Sequence, residues 1–265
     1  MHKLSRQIRF SVNPFLDQTA VGDNSYSSKP CGEGLALYFA LWVELQAQVN
    51  PDTGFVVNVV EIDKVIRKSA VGVFADFVTE RFRNAKHVSL SDVCELLNQV
   101  WPVIDSGFGN AQLTALGLQL NPSRKIMIEM GNDPMIYFSE KFEFAAMHKL
   151  WNNSFTDKEN FDVFGKCANP SGHGHNYVVE VTIEKEKLDE SFRIGSFEDI
   201  VTKEFIDLVD HKNLNEDVAE FAETIPTVEN IAAFAWQKLS EKIGSARLSK
   251  VTVWESDRTS CTYRG

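Results

Sequence analysis

Alternating hydrophobic and polar positions divide the C-terminal half of the chain into two strands, two helices and two further strands. A period of two places every second side chain on one face of a strand, whereas apolar positions at helical spacing form one face of a helix. The predicted elements are, in order, strands over Lys141–His148 and 175–183, helices over Phe197–Val209 and Thr227–Lys242, and strands over 249–255 and 259–264. Thr227 is a candidate N-cap of the second helix. The pattern therefore predicts a ββααββ module.

The N-terminal half repeats this order with different residues. Its predicted elements are strands over 8–12 and 35–49, helices over Glu61–Arg83 and Ser91–Val100, and strands over 113–120 or 125–130 and over 135–138. Although any two ββααββ modules look alike at this level, the shared order favours duplication. We predict an α+β protein of two tandem modules, 1–138 and 139–265, whose antiparallel sheets carry their helices on one face.

The two halves differ in their metal-type residues. When GEGLALYF (32–39) is placed over GHGHNYVV (172–179), Glu33 and Leu35 fall where His173 and His175 stand. In the same overlay, Pro14 falls near His148. The first module is therefore predicted to be degenerate and to lack metal ligands.

Composition and charge narrow the possible partners. The 265 residues carry a net charge of −10, and no basic stripe suited to nucleic acid or anionic membranes is present. No run of about 18 apolar residues occurs, and the four cysteines form no CxxC pair. We expect a soluble, cytoplasmic protein without nucleic-acid or membrane partners. A small anionic substrate remains open if a local basic pocket binds it.

A His-Gly-His sequence at the start of a predicted strand is the main candidate for chemistry. His173 and His175 point to the same strand face, and Gly174 allows close backbone approach. His148 ends the preceding strand and can supply a third nitrogen. Three imidazoles with one open position are typical of catalytic Zn²⁺. The alternative is a polar loop beside a lone core histidine.

Three further groups are candidates for acid-base or binding roles. Asp210 can raise the proton affinity of His211, although the pair could also be only a helix end. Cys167, next to Lys166 and a metal, could have a lowered pKa and act as a thiolate, or could be a buried apolar residue. Glu255 at a strand end could accept two hydrogen bonds from a heterocycle, or could be an exposed charge.

Four motifs in order resemble the 6-pyruvoyl-tetrahydropterin synthase family. They are GKCANPSGHGHNY, LVDHKNLN, PTVENIA and VWESD, within residues 141–265. The resemblance implies the tunnelling fold, in which ββααββ modules assemble into barrels with active sites at subunit interfaces, and hence a homo-oligomer. It also implies these roles: zinc ligands His148, His173 and His175; proton-abstracting Cys167; acid-base pair Asp210 and His211; pterin-binding Glu255, with Thr227 and Glu229 in support.

The implied reaction converts 7,8-dihydroneopterin triphosphate to 6-pyruvoyl-tetrahydropterin with elimination of triphosphate, a lyase step of tetrahydrobiopterin biosynthesis. Within the family, the competing hypothesis is 6-carboxytetrahydropterin synthase of queuosine biosynthesis, whose cysteine commonly lies closer to the His-Gly-His. Here five residues separate Cys167 from His173. A non-catalytic pterin-binding protein and an unrelated zinc hydrolase are two further hypotheses for this set of residues.

Overall fold

A computed structural model describes residues 1–15, 36–129, 134–189 and 191–265. The overlay positions Glu33 and Leu35, together with Cys31, lie outside these ranges. The chain divides into two compact units. The first comprises Met1–Tyr137 with Glu186–Asp189, and the second comprises Phe138–Lys185 with Glu190–Gly265.

The first unit has four antiparallel strands in the order β1-β2-β3-β4 and a helical layer inserted between β2 and β3. Its elements are β1 (His2–Val12), β2 (Leu37–Ala47), α1 (Val59–Val65), α2 (Val71–Arg83), α3 (Leu90–Ile104), β3 (Gln112–Gln119) and β4 (Arg124–Glu129). A π-helical turn over Ile66–Ala70 joins α1 to α2, so the single helix predicted from Glu61 to Arg83 forms with a widened turn. Ser89 and Asp92 form a capping box that starts α3.

The second unit has the strand order β5-β6-β8-β9, with the short β7 parallel to β5. Its strands are β5 (Met135–His148), β6 (His173–Lys185), β7 (Lys212–Asn213), β8 (Arg247–Ser256) and β9 (Thr259–Tyr263). Its helices are α4 (Asp157–Phe164), α5 (Ile194–Val201), α6 (Asp207–Val209), α7 (Leu214–Asp217) and α8 (Val228–Leu239). Thr227 accepts a hydrogen bond from the Asn230 amide, which confirms it as the cap of α8. The predicted fold class, two ββααββ modules, is confirmed.

The two units share details that the strand order alone does not require. The ladder between β2 and β3 shifts register at Glu44/Leu45, and that between β6 and β8 shifts at Thr182/Ile183. Both units also contain a π-helical turn in the helix after the second strand, over Ile66–Ala70 and Thr202–Ile206. Because a bulge and a π turn each insert a residue at one place, their recurrence supports duplication of one ancestral module.

An aromatic cluster also recurs in the two cores. Phe10 stacks on Phe39 with ring centroids 5.6 Å apart and meets Phe74 edge-on at 5.0 Å. In the second unit Phe144 stacks on Tyr177 at 4.9 Å and meets Phe205 edge-on at 5.6 Å. In each unit, an aromatic ring of the helical layer therefore packs edge-on against a ring of the first strand.

The sequence pattern missed some elements. Residues 135–138, predicted as the last strand of the first module, are the beginning of β5, which continues without interruption to His148. Both candidates for the third strand, 113–120 and 125–130, correspond to strands, β3 and β4.

In the described part of the chain, no helix is long and apolar enough to cross a bilayer.

A further helix, α4, occupies what the pattern predicted to be a loop between β5 and β6. A capping box of Thr156 and Glu159 starts it, and Gly165, with φ of +55°, ends it. The buried Asn160 accepts a hydrogen bond from the Asn152 amide at 2.8 Å and donates to the Asn152 carbonyl at 3.0 Å. This helix leads directly into the 3-10 turn Gly165–Ala168, which contains Cys167.

Candidate metal centre and catalytic residues

Three imidazoles converge at the end of β5 and the start of β6. His173 and His175 lie two residues apart on β6, and His148 is the last residue of β5. One ligand nitrogen from each lies within 4.8 Å of the other two. The Nε2 atoms of His148 and His173 are 3.1 Å apart. The sequence spacing therefore correctly indicated that these side chains share a face.

The protonation of His148 is set by a backbone carbonyl. Its Nδ1 lies 2.7 Å from the carbonyl oxygen of Pro226, which can only accept, so Nδ1 carries the proton and donates it. In the neutral ring the lone pair is then on Nε2, which faces His173. Such an outer hydrogen bond is the usual device that orients a metal-binding histidine.

Burial favours the neutral, ligating form of these rings. The side chain of His148 is fully buried, and desolvation lowers its pKa to about 4 although the Pro226 carbonyl opposes the shift. Burial also lowers the pKa of His173, as does the nearby His175. The buried Nδ1 of His173 and Nε2 of His175 have no hydrogen-bond partner in the described structure. A buried imidazole nitrogen without a protein donor, such as Nε2 of His175 beside the other two rings, fits a bound cation.

This depressed pKa predicts acid sensitivity of the metal-free protein. Folded His148 protonates near pH 4 and the unfolded side chain near 6.5, so between these values the unfolded state binds more protons and stability falls with falling pH. We expect a loss of about 2 kcal/mol between pH 7 and pH 5 from this residue. Urea unfolding of chelator-treated protein at the two pH values measures it. If His148→Gln shows an equal loss, His148 is not its source.

Glu255 at the end of β8 approaches the same cluster. Its Oε1 lies 3.5 Å from His148 Nε2 and 3.7 Å from His175 Nε2. Its side chain is only 23% exposed. The structure thus places this carboxylate next to the imidazole nitrogens. The sequence had indicated only that it lies at the end of a strand.

Cys167 lies beside this cluster on a turn that is tied to the end of β5. The carbonyl of Cys167 accepts a hydrogen bond from the Leu150 amide at 2.9 Å. Partial burial raises the pKa of the Cys167 thiol, and the negative charge of Glu255 raises it further. The pKa lowering expected from Lys166 is therefore absent in the metal-free chain, because burial and Glu255 act in the opposite direction.

Asp210 and His211 form a hydrogen-bonded pair immediately after α6. Asp210 accepts from the Ala145 amide and from His211 Nδ1, each at 2.8 Å, and these bonds lower its pKa. His211 adopts a φ of +56°, in the left-handed region, and its amide donates to the Ala145 carbonyl at 2.6 Å. Its side chain is 82% exposed. Among the described residues, no hydrogen bond or ion pair joins this pair to the three imidazoles.

Thr227 and Glu229 lie at the start of α8. The Thr227 hydroxyl caps the helix, and Glu229 is exposed in its first turn. The residue before the cap, Pro226, supplies the carbonyl that orients His148. No hydrogen bond from either side chain to an imidazole occurs in the described part of the chain.

Sequence reasoning missed two parts of the cluster. Tyr177 is fully buried, and its hydroxyl lies 3.4 Å from His148 Nδ1. Its position two residues after His175 on the same strand face was a usable signal. The other part is the Pro226 carbonyl, which no side-chain pattern can reveal because it is a backbone group.

Two described positions of the first unit that match cluster residues carry apolar side chains. When the two units are aligned at their register shifts, Leu37 corresponds to His175 and Leu120 corresponds to Glu255. The overlay of the sequence was therefore displaced by two residues, because it aligned glycines and not the bulge. The turn at Asp210 also has no counterpart in the first unit: Asp210 lies four residues after its π-helical turn, whereas the residue four after Ala70 is Phe74, inside the continuous helix α2.

Comparison with known proteins identifies the second unit. The sequence model described as 6-pyruvoyl tetrahydropterin synthase matches residues 137–265. Human 6-pyruvoyl tetrahydrobiopterin synthase is 37% identical over 130 residues, which cover 48% of this chain and 90% of the human protein. The chain belongs to the 6-pyruvoyl tetrahydropterin synthase family. This is an enzyme family, and the resemblance carried by the four motifs is confirmed at that level.

Other members of the 6-pyruvoyl tetrahydropterin synthase family give the range of similarity. The solved structure of the Caenorhabditis elegans 6-pyruvoyl tetrahydropterin synthase is 34% identical and covers 51% of this chain and 99% of its own, with a TM-score of 0.47. The 6-carboxy-5,6,7,8-tetrahydropterin synthase of Aquifex aeolicus is 27% identical over 157 residues, which cover 48% of this chain and 96% of that protein. The family model leaves residues 1–136 unmatched.

Proposed function

We propose that the second unit is a zinc-dependent enzyme that converts 7,8-dihydroneopterin triphosphate to 6-pyruvoyl-tetrahydropterin with elimination of triphosphate. The observation that carries the proposal is the convergence of three imidazole nitrogens within 4.8 Å beside Glu255 and Cys167. His148, His173 and His175 would hold the metal. Bound zinc supplies Lewis acidity, which acidifies C–H bonds next to a polarised oxygen.

The protein's own groups would then move protons and hold the pterin. Cys167 is the proposed base that removes a proton from a substrate carbon. Because the pKa of its thiol is raised in the metal-free protein, a nearby cation is needed to stabilise the thiolate. The Asp210 carboxylate fixes the His211 tautomer, which leaves Nε2 free to exchange a proton with the substrate side chain. Glu255 is the proposed acceptor for the N–H and amino groups of the pterin, with Thr227 and Glu229 in support.

Assembly with further copies of the chain is part of this proposal. His211 is exposed, and in the described structure β1 pairs only with β2 and β9 only with β8, so each unit has one strand edge that can accept a further strand. We therefore propose a cytoplasmic homo-oligomer in which the exposed His211 meets a substrate site formed with a neighbouring copy.

Product analysis tests the proposed reaction. The purified, zinc-loaded protein is incubated with 7,8-dihydroneopterin triphosphate, and the pterin product is identified by mass spectrometry together with released triphosphate. We expect 6-pyruvoyl-tetrahydropterin, in keeping with the five-residue spacing between Cys167 and His173. A 6-carboxytetrahydropterin product would move the chain to the queuosine branch. Substrate binding without turnover would indicate a non-catalytic pterin-binding protein.

We further propose that the first unit, 1–138 in the sequence division, is a non-catalytic module and that 139–265 is the catalytic one. The apolar Leu37 and Leu120, at the positions that match His175 and Glu255, support this assignment. A chain beginning at Phe138 would lose Met135–Tyr137, the start of β5. We expect such a chain to be less soluble and less active than the full protein, as measured by gel filtration and turnover. A soluble, fully active product would contradict the structural role.

A further inference from the structure

Glu255 stands where a metal ligand would stand, although pterin binding is the role proposed for it in the reaction. Its Oε1 lies 3.5 Å from His148 Nε2 and 3.7 Å from His175 Nε2. Both separations exceed the usual 2.7–3.2 Å of an N–H···O hydrogen bond. The contact between this carboxylate and the imidazoles therefore requires another explanation.

Atoms that share a tetrahedral metal ion have a characteristic separation. Zinc binds imidazole nitrogen at about 2.0–2.1 Å and carboxylate oxygen at about 2.0–2.2 Å, which makes the edge of the tetrahedron about 3.4 Å. The separations between Glu255 and the two imidazole nitrogens, and the 3.1 Å between His148 and His173, lie close to that value. These three separations fit neighbouring ligands around one ion.

The hydrogen-bond pattern gives an independent argument. His148 Nδ1 donates to the Pro226 carbonyl, so the neutral ring has no proton on the Nε2 that faces Glu255. A partly buried carboxylate and the lone pair of a fully buried imidazole then face each other, which is unfavourable without a positive charge between them. The Nε2 of His175, the other atom near Glu255, is buried and has no hydrogen-bond partner in the part of the chain that the structure describes.

We propose that Glu255 is the fourth protein ligand of the metal in the substrate-free protein. Because a carboxylate on the metal cannot also pair with a pterin, substrate binding would have to release Glu255 from the ion. The open metal position would then be created by the correct substrate. This inference rests on the proposed zinc site, and it adds a ligand that the three-histidine pattern does not contain.

Metal binding without any pterin tests the proposal. Chelator-treated wild-type protein, Glu255→Gln and Glu255→Ala are titrated with Zn²⁺ in competition with a chromophoric chelator. They are then loaded with Co²⁺, and their visible spectra are recorded. We expect both variants to bind zinc about tenfold more weakly or worse, and their cobalt spectra to differ from wild type. Far-UV circular dichroism of the metal-free proteins checks that each variant is folded.

The matched control is Glu180→Gln, which removes one negative charge from the opposite face of β6. It should bind metal as the wild type does. Wild-type affinity and an unchanged cobalt spectrum in both Glu255 variants would overturn the ligand assignment and leave the three-histidine site intact. A wild-type protein that binds no zinc would overturn this inference together with the proposed function.

Discussion

Replacing His173 with alanine is expected to abolish stoichiometric zinc binding and all turnover. His173 Nε2 lies 3.1 Å from His148 Nε2, so its loss removes one of three converging ligands and leaves too few nitrogens for a tight site. We expect the zinc affinity to fall by more than about 100-fold, above the range seen when only an outer-shell partner is lost. Metal analysis after dialysis against a weak chelator measures the change.

A matched control replaces a histidine that lies outside the cluster. His87 is exposed in the first unit, and His87→Ala should keep one equivalent of zinc and full activity. Turnover of His173→Ala should not recover when zinc is added at concentrations that saturate the wild-type protein. If the variant retains zinc through dialysis, the assignment of His173 as a ligand is wrong.

Replacing Cys167 with alanine should have the opposite combination of effects, with zinc retained and turnover lost. The thiol lies near Glu255 and the imidazoles, but it does not belong to the group of three side chains that could hold the metal. Removal of a general base typically costs about 10²- to 10⁴-fold in rate, and we expect a loss in that range. Metal content and the steady-state rate are measured on the same sample. Full activity in Cys167→Ala would favour a zinc hydrolase.

The raised pKa of Cys167 makes a second measurement informative. In the metal-free protein, burial and Glu255 hold the thiol protonated, so alkylation by iodoacetamide should be slow at pH 7 and accelerate only at higher pH. Zinc loading should move this profile to lower pH, because a nearby cation favours the thiolate. A background that carries both Cys31→Ala and Cys261→Ala leaves only the buried Cys94 besides Cys167, which keeps the signal specific to Cys167. An unchanged profile on zinc loading would argue against activation by the metal.

Periodicity and motif spacing in the sequence determined the fold class and which three imidazoles lie together. Alternation along β5 and β6 placed His148, His173 and His175 on inward-facing positions, since a strand has only two faces. The ββααββ order could be read twice because each element carries its own hydrophobic period. The family followed from the four motifs of the second half.

Local propensity explains why other features escaped the sequence reading. The helix α4 is short and polar, with a buried Asn160 where an apolar residue would normally mark the inner face, so the hydrophobic pattern is weak. The sequence overlay aligned the glycines of the two halves. The feature that the two units share in the structure is instead the bulge, at Glu44/Leu45 and at Thr182/Ile183. A bulge has no side-chain signature of its own.

Residues that are close in space but far apart along the chain could be placed only by the tertiary structure. Glu255 lies 80 residues after His175 in the sequence, and only the pairing of β6 with β8 brings its carboxylate to within 3.7 Å of that ring. The Pro226 carbonyl sets the tautomer of His148 from 78 residues away. Burial and the charge of Glu255, which packing brings near Cys167, raise the pKa of its thiol in the metal-free protein. A sequence specifies which groups are available and on which face of a strand they lie, whereas distances, proton positions and charge environments depend on how separate elements pack.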